Sequence, residues 1–219
     1  SLWSFKSSKK SYAPLVIRAI IGRGWGQGPQ HAKTLHTMFS YLPGLRVVMP
    51  SSPSEAKGMM LSSIASNDPV IFLEYRALYN TKELVPKKRF YIDLDQPRLR
   101  LKGNSLTLVA AGTSVLTSLK AAEILYKEKK IKIDLFDLRS ISKMNLKKIM
   151  ESVKKTKRLV LVEDGWKNFG YSAEIITQIV ENKIKLTEAP QRVCWPNSHV
   201  PMSTPLEKDF YFDEHDIVK

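Results

Sequence analysis

The ten residues from Gly22 to His31 read GRGWGQGPQH, with glycine at every second position before a proline. Such a stretch forms neither a helix nor a packed strand, because glycine resists ordering and leaves no side chain to bury. The preceding run LVIRAII, residues 15–21, favours a strand, and residues 34–40 have helical spacing. Open α/β sheets bind ligands at loops that leave strand ends, so His31 is the first candidate for chemistry.

Strands and helices alternate after this loop. The pattern predicts a strand over 46–50, a helix that begins at the capping box Ser52 to Glu55, and a strand over 70–74. A strand, a loop, and then alternating helices and strands indicate a parallel sheet covered by helices.

The second half repeats the alternation. Residues 81–104 contain prolines and charges, and we interpret them as a linker between two domains. Four further strands with interposed helices follow, and a second capping box, Thr204 to Glu207, opens a short terminal helix. The sequence therefore predicts an α/β protein with a parallel-sheet domain over 1–80 and a doubly wound domain over 105–219.

Composition narrows the function classes. The single cysteine, Cys194, excludes an internal disulfide and a zinc site built from thiols. No apolar run is long enough to span a membrane, so no membrane partner is expected. The net charge of +14 would suit nucleic acid, but the lysines are scattered along predicted outer helix faces without a recognition motif. We therefore expect no nucleic-acid partner.

Ordered motifs along nearly the whole chain resemble one family. The motifs are PLVIR at 14–18, the glycine stretch, PGLRVVMP at 43–50, DPVIFLE at 68–74, AGT at 111–113, DLRSI at 137–141, VEDG at 162–165 and GYSAE at 170–174. Together they resemble the beta subunit of the thiamine-diphosphate-dependent 2-oxo acid dehydrogenases, which include the pyruvate, branched-chain and acetoin enzymes.

The resemblance implies a fold and an activity. It implies the later part of a pyrimidine-binding-type domain over 1–80, followed by a transketolase C-terminal-type domain over 105–219. The implied activity is oxidative decarboxylation of a 2-oxo acid such as pyruvate, with acyl transfer to a lipoyl group. Two alternatives stay open: a non-catalytic docking fragment and another transketolase-type enzyme. The sequence does not specify which 2-oxo acid is used.

The resemblance also implies partners and cofactors. These are an alpha subunit, a second beta subunit, a dihydrolipoyl acyltransferase core, and thiamine diphosphate with magnesium held mainly by the alpha subunit. The family's first third would precede Ser1, so we expect this chain alone to bind the cofactor poorly and to be inactive. A cytoplasmic location is expected, with a mitochondrial or plastid-type matrix as the alternative.

His31 matches the active-site histidine of the family, in the Gln-His step after the glycines. An imidazole there can orient the carboxylate of the 2-oxo acid or transfer a proton. The alternative is a histidine that only caps backbone groups. His36 is expected to be structural. The glycines lack the spacing of a nucleotide-binding loop, and we assign them to close packing around the entrance of the site.

By resemblance, a structural potassium ion could bind where the first long helix ends. Its ligands would be Leu15, Ser63, Ile64, Ser66 and Asp68. Carbonyls at a helix C-terminus favour a cation. Asp68 and Ser66 depart from the residues that the family more often has, so the ligand set is open. An ordinary turn that binds water is the alternative.

Two acidic stretches complete the candidates. Glu163 and Asp164 are adjacent on a predicted strand and point to opposite faces, so we expect an interface role rather than acid–base chemistry. Residues 209–214, DFYFDE, are acidic and aromatic in a basic chain. By family analogy they would receive the subunit-binding domain of the acyltransferase.

Overall fold

A computed structural model describes residues 2–22 and 26–219. The expectations for Arg23, Gly24 and Trp25 lie outside the described residues. The first half contains α1 (Leu2–Lys6), β1 (Val16–Ile21), α2 (Gly28–His31), α3 (His36–Ser40), β2 (Arg46–Val48), α4 (Pro53–Ile64), β3 (Val70–Tyr75) and a 3-10 turn (Arg76–Leu78). The second half contains β4 (Arg98–Leu101), β5 (Thr107–Ala110), α5 (Thr113–Lys129), β6 (Asp134–Asp137), α6 (Lys147–Thr156), β7 (Leu159–Trp166), α7 (Tyr171–Glu181), β8 (Gln191–Trp195), α8 (Thr204–Phe210) and α9 (Glu214–Val218).

The first sheet has three described strands in the order β1-β3-β2, and both pairings are parallel. The central strand β3 is buried along its whole length, as expected for an apolar run between two neighbours. Helix α4 connects β2 to β3. It begins at Ser52, whose hydroxyl accepts the Glu55 N–H at 3.4 Å, with Pro53 in the first turn.

The second sheet has the strand order β4-β6-β5-β7-β8. Strands β5 to β8 pair in parallel, whereas β4 pairs antiparallel with β6. Both sheets are covered by helices, and the predicted α/β fold class is confirmed. Strand β6 is short and is buried at every position, because neighbouring elements cover both of its faces.

The segment expected to be a linker contains a strand and packs on the first half. Residues 98–101 form β4, which lies at an edge of the second sheet and is too short for a clear pattern in the sequence. Upstream, the Ile92 N–H donates to the Ser62 hydroxyl of α4 at 2.8 Å. A Cβ at Gly58 would overlap Phe90 and Ile92, so this glycine permits the close contact.

The two sheets share an apolar core. One cluster combines Met49, Leu73 and Tyr75 of the first half with Val109 and Phe136 of the second. A second cluster lies around α5, β5 and the C-terminal helices, and a third lies between α4 and the first sheet. Within the described residues, no helix is long and apolar enough to cross a membrane.

Candidate active site

The glycine loop is closed at its base. The Gly22 N–H donates to the Lys33 carbonyl at 3.2 Å, and Gly22 has a φ of +90°. A Cβ at Gly22 would overlap the Tyr75 ring, so the aromatic residue that ends β3 packs directly on the loop base. This contact needs glycine for its backbone conformation and for its lack of a side chain.

His31 ends the one-turn helix α2, which has Pro29 in its first turn. The chain leaves α2 at Ala32 and starts α3 at His36, so His31 lies at the end of a helix. The imidazole is exposed, and among the described residues it has no hydrogen-bond, ion-pair or ring partner. It is therefore open to a ligand or a neighbouring subunit.

The residue that follows His31 is held in place by packing. Ala32 is fully buried and belongs to the cluster that contains Trp195 and Val200 of the second half. The backbone beside His31 is thus held by packing, while the ring itself stays free. Such a combination suits a side chain that must be presented in a defined place.

The segment before α8 also contacts the glycine loop. The Glu207 Oε2 accepts the Gly26 N–H at 3.1 Å, and a Cβ at Gly28 would overlap the Met202 side chain. The predicted capping box at Thr204 to Glu207 is wrong, because Ser203 is the N-cap of α8 and no side chain caps the helix. The Glu207 carboxylate contacts the glycine loop instead.

His36 is buried and has a carboxylate partner. Only 2% of it is exposed, and its Nε2 lies 2.7 Å from Glu163 Oε1. Glu163 also accepts the backbone N–H groups of Tyr171 and Ser172, at 3.1 and 3.0 Å, at the start of α7. These contacts join the first half to the second sheet, so His36 has a structural role.

Asp164, the neighbour of Glu163, faces other partners. It accepts the Trp195 Nε1–H at 2.8 Å and the Thr113 hydroxyl. Because the two carboxylates bind separate elements, they do not converge on one atom, as expected from their adjacent positions on a strand. Burial raises the pKa of the nearby Cys194 thiol to about 11, so this thiol is not a nucleophile at neutral pH.

A second buried junction lies where α4 starts against β6. Ser51 Oγ lies 2.9 Å from Glu55 Oε2 and also contacts Asp137 Oδ2. A hydroxyl has one proton and can donate to only one of them, so the other contact requires a protonated carboxyl. Arg139 donates to Glu55 Oε1 through Nε at 3.0 Å and Nη2 at 2.9 Å, which favours an ionised Glu55.

The ionisation of this pair follows from its surroundings. Burial opposes ionisation of Glu55, but the interaction with neighbouring Asp137 and the Arg139 charge outweigh it and lower the pKa of Glu55 to about 2. Complete burial and then the Glu55 charge raise the pKa of Asp137 well above its usual range. Asp137 therefore holds the proton and donates it to Ser51, which in turn donates to Glu55.

The residues expected to bind potassium make other contacts. The Asp68 carboxylate pairs with Arg46 at 2.9 Å, and the Ser63 hydroxyl donates to the Met59 carbonyl at 2.7 Å. The Ser66 hydroxyl accepts the Asp68 N–H at 3.1 Å, and the Leu15 carbonyl accepts the Val70 N–H at 2.8 Å. The remaining candidate, Ile64, ends α4. The Arg46 guanidinium contacts the one carboxylate of the set, and its positive charge disfavours a cation beside Asp68. The potassium site stays a prediction.

The described residues also contain no group of three His, Cys, Asp or Glu side chains that could hold a metal ion. The glycine loop likewise uses its backbone for packing contacts with Tyr75 and Met202.

The acidic stretch 209–214 is partly occupied by local contacts. The Asp213 side chain caps α9, and Glu214 lies 3.7 Å from the Lys120 ammonium. Phe210 and Phe212 are buried in the core. Asp209 is exposed at the end of α8, and of these acids it is the one most available to a partner.

Sequence reasoning missed a cavity beside the C-terminal end of β3. Arg18 donates to Glu74 through Nε at 2.5 Å and Nη2 at 2.9 Å, and the Tyr79 hydroxyl donates to Glu74 at 2.8 Å. The hydrogen bonds from Arg18 lower the pKa of Glu74. These residues line a cavity of about 490 Å³ between β3 and α4. The signal in the sequence was a charged residue, Arg18, within an apolar strand.

Comparison with known proteins places this geometry in a family. The transketolase C-terminal domain model matches residues 96–217, and the transketolase pyrimidine-binding domain model matches residues 4–82. A solved structure described as split gene transketolase, inactive beta4 tetramer, aligns with a TM-score of 0.74 at 19% identity, covering 93% of this chain and 63% of that one. At this identity the structural match supports the fold alone.

Curated relatives are similar over most of the chain. The pyruvate dehydrogenase E1 component subunit beta of Staphylococcus epidermidis is 36% identical over 217 residues, which are 98% of this chain and 66% of the relative. The acetoin:2,6-dichlorophenolindophenol oxidoreductase subunit beta of Bacillus subtilis is 34% identical over 202 residues, 92% of this chain and 59% of the relative. The chain thus spans about two thirds of the length of these proteins, and the predicted resemblance to such beta subunits is confirmed. The chain belongs to the transketolase family, with a pyrimidine-binding domain followed by a transketolase C-terminal domain.

Proposed function

We propose that this chain is the beta subunit of a 2-oxo acid dehydrogenase, which decarboxylates a 2-oxo acid such as pyruvate and transfers the acyl group to a lipoyl arm. The observation that carries the proposal is the exposed His31 at the end of a loop whose flanks are fixed. The relatives named as beta subunits of pyruvate dehydrogenase and acetoin oxidoreductase support the same activity.

His31 is the group of this chain that acts on the substrate. Its imidazole either binds the carboxylate of the 2-oxo acid or transfers a proton during acyl transfer. Buried Ala32 keeps the backbone beside His31 in place, so the ring is presented without a search over loop conformations.

The remaining parts of the site come from partners. We assign the thiamine diphosphate and its magnesium mainly to an alpha subunit, and the assembly contains a second beta chain. Thiamine diphosphate, when bound, would supply the nucleophilic carbon for decarboxylation of the 2-oxo acid. The acyltransferase core docks on the C-terminal domain, with exposed Asp209 as its acidic contact. The proposed location is the cytoplasm.

The test is reconstitution of the full gene product with its alpha subunit. The purified assembly is supplied with thiamine diphosphate and magnesium. Decarboxylation is followed with pyruvate and with branched-chain 2-oxo acids, and carbon–carbon cleavage is followed with acetoin in parallel. We expect turnover of at least one of them above a control that lacks the cofactor. An assembly that forms and binds the acyltransferase core but turns over none of them would support the docking fragment instead.

A further inference from the structure

The glycine loop contacts the C-terminal domain as well as the residues at its own base. The Glu207 Oε2 accepts the Gly26 N–H at 3.1 Å, although the two residues lie in different domains. Glu207 is 9% exposed and Gly26 is half-buried, so this hydrogen bond is partly shielded from water. A carboxylate that accepts a backbone N–H in a partly shielded site forms one of the stronger hydrogen bonds in proteins.

Glu207 contributes little to its own helix. It is not the N-cap of α8, and no side chain caps that helix. Its other oxygen, Oε1, is buried and has no hydrogen-bond partner among the residues described. An unpaired buried oxygen costs free energy, so helix stability does not explain a carboxylate here. The contact that it does make is with the glycine loop.

Residues close to Glu207 also contact the glycine loop or the residue that follows His31. Met202 packs against Gly28, where a Cβ would overlap its side chain, and Gly28 has a φ of +60°. Ala32 is buried in the cluster that contains Val200 and Phe210. The chain from Val200 to Phe210 therefore contacts the loop both before and after His31.

We infer that Glu207 is a positioning residue for His31: its carboxylate holds the Gly26 N–H and so fixes the loop that presents the imidazole. The expected effect of Glu207 on turnover rests on the proposed function. The expected effect of Glu207 on the mobility of the loop does not depend on it. Glu207 belongs to the C-terminal domain, so the position of the imidazole depends on how the two domains pack.

The experiment compares Glu207→Ala and Glu207→Gln in the full chain, with Lys208→Ala as a control at an exposed position on the same helix. Amide hydrogen exchange is followed by mass spectrometry for peptides from the loop, residues 22–33, and from strand β5. We expect Glu207→Ala to raise exchange in the loop by about tenfold while β5 is unchanged, because one partly shielded hydrogen bond is lost. Glutamine keeps an acceptor oxygen, so Glu207→Gln should restore most of the protection, and the control should match the parent chain.

The same variants are then assayed in the reconstituted enzyme. Glu207→Ala should lower kcat/KM by about tenfold or more, with Glu207→Gln closer to the parent. Unchanged exchange in the loop, or an equal rise in the loop and in β5, would overturn the inference. Increased loop exchange in an assembly that shows no turnover even with the parent chain would leave the role of Glu207 intact and count against the proposed function.

Discussion

His31 and His36 lie on the same short segment, but their surroundings differ completely. His31 is exposed and has no side-chain partner within the described residues, whereas His36 is buried, bonded to Glu163 and packed 5.6 Å from the Tyr171 ring. The buried ring joins two domains, and the exposed ring can meet a substrate. The comparison shows that exposure and partners, rather than residue type, separate a structural histidine from a chemical one.

The largest expected effect is on the buried side of this comparison. Glu163→Ala removes the acceptor of His36 and of two backbone N–H groups at the start of α7. We expect the free energy of unfolding to fall by about 3–5 kcal/mol, since buried donors lose a charged partner. Urea denaturation of the chain measures it. Glu174→Ala, an exposed acid on α7, is the control and should change stability by less than about 0.5 kcal/mol. A similarly small loss for Glu163→Ala would show that His36 does not hold the domains together.

The next largest effect concerns the exposed histidine, His31. His31→Asn should lower kcat/KM of the reconstituted enzyme by about 100-fold or more, as loss of a proton-transfer group does. The unfolding free energy should change by less than about 0.5 kcal/mol, because the ring is exposed. His215→Asn, at an exposed position on α9, should leave both quantities unchanged. Full activity with His31→Asn would contradict the claim that His31, unlike His36, takes part in the reaction.

A smaller, pH-dependent effect comes from Asp137, which is buried like His36 but neutral. Burial raises the pKa of Asp137 in the folded chain. Folding therefore takes up a proton at pH values above the unfolded pKa, which is near 4. Its stabilising contribution is complete below about pH 4 and is lost as the pH rises toward its folded pKa. Asp137→Asn cannot ionise and can still donate to Ser51. The variant should therefore gain up to about 1.4 kcal/mol relative to the parent chain for each pH unit above that value.

Urea unfolding of the parent chain and Asp137→Asn at several pH values measures this difference. Parallel pH profiles would show that Asp137 is ionised in the folded state. Glu55 has the opposite sign, because its folded pKa of about 2 lies below its unfolded value. Its contribution is present at neutral pH and is lost only as the pH falls from the unfolded value near 4.3 toward about 2.

The smallest effect concerns the turn after α4. Asp68→Asn removes one of the partly exposed ion pairs of Arg46, which keeps Asp95 at 2.7 Å. We expect a loss of about 0.5 kcal/mol, equal in sodium and potassium chloride of the same ionic strength. Thermal unfolding in the two salts measures it. A loss found only in potassium chloride would show that this turn binds potassium after all.

The sequence alone predicts the alternation of strands and helices because their apolar runs are long and their boundaries carry glycine, proline and capping residues. It also predicts that Glu163 and Asp164 face apart, because the strand period determines this. Strand β4 was missed because four residues of alternating sequence are too few to stand out. The second capping box was wrong because Glu207 finds a partner in Gly26, far away in the sequence.

Some features of the candidate site could likewise be predicted from the sequence, and others could not. The glycine pattern and His31 are local features, so a single sequence can point to them. The proton held between Ser51 and Asp137, and the cavity lined by Arg18 and Glu74, depend on residues from different elements. The cation site was expected from the resemblance to the family, and the contact between Arg46 and Asp68 could not be seen without the fold.

The most direct measurement of the central claim is the reactivity of the histidines toward diethyl pyrocarbonate, read by peptide mass spectrometry with and without the alpha subunit. In the chain alone, His31 should react at a rate similar to that of exposed His215, and buried His36 should be protected. On assembly, the rate at His31 should fall by about tenfold as the cleft closes over it, with His215 unchanged. An unchanged rate at His31 in a fully formed assembly would contradict the claim that this loop presents its imidazole to a site completed by another subunit.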